Sequence, residues 1–142
     1  MRFKPGTLCM LFIALLLLSG CQPSAERGAE ADKVAIEFFE RFYNQRDLPA
    51  ALNLTTEEYR ALLERYGTVN AISRYLFDMN FDSVEIAADR LGIALYRNQA
   101  DTARVQVSFS GIRDRQRVET LRDVVLVRQA GSWRVVKVME VF

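Results

Sequence analysis

Ala103-Arg104-Val105-Gln106-Val107-Ser108-Phe109-Ser110 alternates apolar and polar residues without a break. In an extended chain successive side chains point to opposite faces, so Ala103, Val105, Val107 and Phe109 share one face and the polar residues the other. The stretch predicts a half-buried antiparallel strand. Strands are also predicted over 118–128 and 133–141, joined by Gln129-Ala130-Gly131-Ser132, whose glycine and serine suit a hairpin turn. The piece over 84–97 mixes periods around Gly92 and reads as one bulged strand or two short ones. In the last strand, strict alternation puts Trp133, Val135, Met139 and Val141 on one side and Val136, Val138 and Phe142 on the other, so both faces are apolar. A sheet covered on one face only does not need this. Either the outer face docks onto a partner, a second copy or another protein, or part of it packs under the N-terminal segment.

Upstream of the strands the period changes. Val34, Ala35, Phe38, Phe39, Phe42 and Tyr43 recur at helical intervals from Asp32 onward, and the pair Glu37 and Arg41 adds modest i,i+4 support. Asp47 before Leu48-Pro49-Ala50-Ala51-Leu52 fits an N-cap with a first-turn proline. Thr55 with Glu58 matches a capping box, opening a helix that carries Tyr59, Leu62, Leu63 and Tyr66 and stops at Gly67. Thr68 caps a further stripe of Val69, Ile72, Leu76 and Phe77. Helices first and antiparallel strands afterwards make an α+β chain.

Ahead of the helices lies a different kind of segment. Arg2 and Lys4 precede an apolar run over 8–18, and small residues follow it, the three-part build of an export signal. Eleven apolar residues are too few for a helix across a core of ~30 Å. Leu18-Ser19-Gly20-Cys21 resembles the lipobox of bacterial lipoproteins. That resemblance implies that Leu18, Ser19 and Gly20 are read by the signal peptidase and that Cys21 carries the lipid, palmitate included. It further implies a membrane-anchored protein of the cell envelope, and, with Gln22 in place of an aspartate, the periplasmic side of the outer membrane. Residues 22–31 are small and polar and read as a flexible linker of roughly 30 Å reach. A turn of helix drawn from their Ala and Glu residues is the alternative.

Removing residues 1–20 from 142 leaves 122, which suits one domain over 32–142. Taking Arg2 and Lys4 from the 19 basic residues leaves 17 against 18 acidic ones, a net charge of −1, with no basic surplus for nucleic acid. Cys9 lies in the signal and Cys21 at its end, so the domain has no thiol for a disulfide, a metal or a nucleophile. Histidine is absent altogether, which removes the commonest general base and metal ligand. No cofactor or metal site is expected.

Phe42-Tyr43-Asn44-Gln45-Arg46-Asp47-Leu48, an aromatic helix end before an aspartate-capped short helix, and the closing Gly131-Ser132-Trp133-Arg134-Val135-Val136-Lys137-Val138 together resemble the nuclear transport factor 2-like superfamily. The resemblance implies a curved sheet wrapped around helices as a cone, whose open end can hold a small apolar molecule. Dimers formed through the sheet are common among such proteins. Enzymes of this fold, such as the ketosteroid isomerase-like group, use a pocket aspartate as base with a tyrosine or second acid at the oxyanion. Here Asp78 and Asp82 with Tyr43, Tyr59, Tyr66 and Tyr75 are the available set. The structural alternative makes the tyrosines plugs of the helix–sheet interface and the aspartates closures of the helix-to-strand turn.

Arg113, Arg115 and Arg117 fall at period two near a turn, and would form a basic stripe for phosphates, a glycan or an acidic partner if they share one side. Asp114, Glu119 and Asp123 nearby can instead neutralise a solvated hairpin. Together with Val136 and Val138 these arginines are the candidate partner-facing residues. The balance favours a non-catalytic binding or scaffold module of the envelope. The alternative is a small-pocket isomerase or dehydratase.

Overall fold

The aromatic stripe is helical, as its period requires, but the helix starts before Asp32. In the computed structural model, which describes residues 24–89 and 101–141, α1 spans Ser24–Phe39 and runs into a π-helical turn over Glu40–Asn44. The linker expected over 22–31 is therefore helical from Ser24, because Ala25, Glu26, Ala29, Glu30 and Ala31 favour the helix they adjoin. Ala31 already packs in the core. In the π turn the Gln45 N–H donates to the Glu40 carbonyl at 2.9 Å, and both Phe42 and Tyr43 are buried.

Three short helices follow: α2 over Leu48–Leu52, α3 over Glu57–Tyr66 and α4 over Val69–Tyr75. Asp47 caps α2 by accepting from the Ala50 N–H at 3.0 Å, and Thr68 caps α4 by accepting from Ala71 at 3.1 Å, as expected. Gly67 ends α3 at a positive φ, the conformation that glycine adopts most easily. The cap of α3 differs from expectation. Thr56, not Thr55, accepts from the Tyr59 N–H. Thr55 is occupied otherwise, in a parallel bridge to Val135, with its hydroxyl donating to the Leu52 carbonyl at 2.7 Å.

The strands β1 (Ser83–Asp89), β2 (Thr102–Arg113), β3 (Gln116–Gln129) and β4 (Ser132–Glu140) form an open antiparallel sheet in the order β1-β2-β3-β4. The expected strand over 84–97 corresponds to β1 as far as residue 89, and its continuation around Gly92 lies outside the described residues. α1 packs across all four strands. Between them lies the core, in which Phe38, Phe39, Phe42, Tyr43, Phe77, Phe81 and Phe109 touch ring to ring, Phe39 standing edge-on to Phe109 at 4.8 Å. Such pairs add about 0.5–1.5 kcal/mol beyond area, whereas burying one phenylalanine contributes about 1.5–3 kcal/mol. Burial dominates.

Gly111 marks the closest approach in this core. A Cβ there would lie 2.6 Å from both a Phe81 ring carbon and the Ser83 carbonyl oxygen, so only a glycine lets Phe81 cover β2.

The last strand departs from strict alternation. Leu126 pairs with Val135 but Val125 pairs with Lys137, so Val136 is an extra residue, a β-bulge. The bulge resets the phase, placing Trp133, Val135 and Val138 on the inner face and Met139 on the outer. Val138, expected outside beside Val136, instead packs against the core opposite Val124. Beside the bulge, residues 54–56 line the edge of β4 through Thr56 N–H to Val135 O at 2.9 Å and Val135 N–H to Leu54 O at 2.8 Å.

Candidate functional site

Two charged residues inside the apolar run of β3, Arg122 and Asp123, occupy opposite faces of the sheet and are both buried. On the inner face, the Arg122 guanidinium donates to the carbonyls of Phe77 at 3.0 Å and Leu121 at 2.8 Å and to the Thr120 hydroxyl at 2.9 Å. The Tyr43 hydroxyl lies in the same region and donates to the Met79 carbonyl at 2.9 Å. Both side chains thus hold the loop over 76–82, which joins α4 to β1, down onto the sheet.

Burial pushes the Tyr43 phenol well above the usual tyrosine range, against the opposing pull of a hydrogen bond with Ser73 and the positive charge of Arg122; the nearby Tyr59 raises it further. Tyr59 is raised in the same way by burial, partly offset by a backbone hydrogen bond at Val138. Both phenols stay protonated at neutral pH, so neither is available there as a base. Tyr43 already directs its proton at a carbonyl.

The remaining candidates lie apart from this cluster. Tyr66 is half-buried and Tyr75 is exposed. Asp78 and Asp82 are exposed in the helix-to-strand loop; the Asp82 carboxylate accepts from the Asp114 N–H at 3.0 Å, and its own N–H donates to the Ile112 carbonyl at 2.7 Å. Asp82 thus ties that loop to the β2–β3 turn. On the outer face Asp123 accepts from Arg104 Nε at 2.9 Å and lies 3.4 Å from the Gln106 amide. Among the described residues no group of histidine, cysteine, aspartate or glutamate could hold a metal ion.

No family model, curated protein or solved structure matches this chain.

The three arginines at period two do not form a stripe. Arg113 pairs with Gln116, Asp114 and Arg115 are the two turn residues, both at positive φ, and Arg117 pairs with Ile112. The turn reverses the chain between them, so Arg113 and Arg117 belong to opposite faces. Arg117 sits 3.2 Å from Glu119 and also donates to Ser110. Val136 is half-buried in the bulge. Leu18, Ser19, Gly20 and Cys21 lie outside the described residues. Arg122 is the residue that sequence reasoning misses. Its signal is present: two adjacent charges amid Leu121, Val124, Val125, Leu126 and Val127 put one charge on each face of a buried strand.

Proposed function

We propose that this chain is a lipid-anchored protein of the bacterial envelope whose folded domain binds a partner or small molecule and does not catalyse a reaction. The observation that carries the reading is Leu18-Ser19-Gly20-Cys21 at the end of the apolar run. Cys21 is acylated and holds the mature protein to the membrane, which we assign to the outer membrane on its periplasmic side. Among the described residues no helix is long and apolar enough to cross a membrane. Helix α1 begins at Ser24, close behind Cys21 in the chain. At the reach of an extended backbone the start of α1 then lies within roughly 10 Å of the anchor, and the expected linker is shortened by the residues that join the helix.

Support for binding over catalysis comes from the interior. Two of its buried polar groups, Tyr43 and Arg122, are directed at backbone carbonyls, and the two aspartates weighed as bases stand in solvent. Helices ahead of a meandering antiparallel sheet are compatible with the nuclear transport factor 2-like cone, which belongs to this same proposal together with the apolar ligand and the sheet-borne dimer it implies. The test is metabolic labelling with palmitate followed by membrane fractionation. Label and membrane recovery are expected for the native chain and lost in Cys21→Ser. A variant that stays labelled and processed would sink the anchor, and recovery of the native chain in the inner-membrane band would overturn the outer-membrane assignment.

A further inference from the structure

β4 covers only part of β3. Its pairing with β3 runs from Gln129 down to Arg122, and among the described residues no strand pairs with residues 116–121 on that side. A cleft of about 650 Å³ lies over the same part of β3, lined by Ser110 of β2, Glu119 and Leu121 of β3 and Val141 among others.

The backbone groups available there follow from the turn. Asp114 and Arg115 both have positive φ, a type I′ hairpin in which the closing pair, Arg113 and Gln116, exchanges hydrogen bonds. Alternation then turns the N–H and C=O groups of Gln116, Val118 and Thr120 toward β2, and those of Arg117, Glu119 and Leu121 toward the open side. The Leu121 carbonyl is taken by Arg122 at 2.8 Å. Arg117 and Glu119 are left as the pairing residues.

Edges are commonly protected by charges of one sign, which repel a second copy. This edge carries one of each. If two copies meet antiparallel about a two-fold axis at Val118, Arg117 of each faces Glu119 of the other, and these are the residues whose backbone groups point outward. The hydrogen-bond phase and the charge pattern select the same register. The intrachain pair between Arg117 and Glu119, with both side chains largely exposed, offers little resistance to exchange. We propose that residues 116–121 are the edge through which two copies of this chain join their sheets, antiparallel about Val118. So short an edge makes a weak dimer, one that a shared membrane surface would favour. The edge is available whether or not Cys21 is acylated.

The test uses the full chain in detergent, with Cys9→Ser and Cys21→Ser in every variant so that Val118→Cys supplies the sole thiol. A two-fold axis at Val118 brings the introduced thiols within disulfide range, and mild oxidation is expected to give a covalent dimer. Adding Arg117→Glu puts like charges in both symmetric pairs and lowers the dimer yield about ten-fold; adding Glu119→Arg to that variant restores it. Sedimentation of the same charge variants without Val118→Cys provides a second readout, since Arg117 and Glu119 are exposed and their reversal leaves the core intact. Absence of self-association in both measurements, a dimer indifferent to Arg117→Glu, or failure of the double reversal to restore it would overturn the proposal.

Discussion

Arg122 and Asp123 are chain neighbours, yet strand alternation sends one to the inner face of the sheet and the other to the outer, and each face resolves a buried charge differently. Inside, Arg122 is satisfied largely by main-chain carbonyls, one of them Phe77, 45 residues away. Outside, Asp123 is met by Arg104 and Gln106, side chains on the adjoining strand. The inner contact fastens a loop that no strand ladder holds. The outer one reinforces two strands that already share backbone hydrogen bonds. A buried charge can therefore create tertiary structure on one face and merely decorate secondary structure on the other.

The largest expected effect is on the inner face and involves no charge. Phe38→Ala should cost about 3–5 kcal/mol because a ring with no exposed surface leaves a cavity. Against a total stability of typically ~5–15 kcal/mol, the melting temperature should fall by many degrees. A drop of a degree or two would show that the ring stack does not hold helix to sheet.

The contacts made by the two charged residues of β3 come next. Arg122→Met leaves the Phe77 carbonyl without its donor, for about 1–3 kcal/mol, and should speed amide exchange across residues 76–82. Gln106→Ala, on the outer face, should change stability by less than about 0.5 kcal/mol and leave exchange in that loop as it was. If the two variants gave the same exchange pattern, the distinction between the faces would fail.

The smallest effect concerns the two buried phenols, Tyr43 and Tyr59. Their folded pKa values lie above the ordinary value of 10.0, so the stability they contribute is fully present below that pH and is lost as the pH rises beyond it. Unfolding free energy should decline at alkaline pH for the native chain and decline less in Tyr59→Phe.

Much of the architecture is legible residue by residue. Asp47, Thr68 and Gly67 bound helices because capping is a matter of a few consecutive residues. The departures share one cause. Thr55 and Thr56 are equivalent caps in isolation, and the choice falls to Thr56 because Val135, far along the chain, holds residues 54–56 in a bridge through Leu54 and Thr56 while the Thr55 hydroxyl turns to Leu52. Alternation carried straight through Val136 puts Val138 outside, and nothing local marks a bulge within Val135-Val136-Lys137-Val138. Arg113 and Arg117 share a side only along one extended segment, whereas the chain turns between them.

By itself, the sequence determined what depends on neighbours in the chain: the apolar run over 8–18 with Cys21 just after it, the change from helical to strand period, and the absence of histidine. Tertiary structure alone decided which charges are buried, where β4 slips by one residue, and which half of β3 pairs with β4. These depend on partners distant in sequence, and an apolar strand presents the same local chemistry in either register until a second element covers one face.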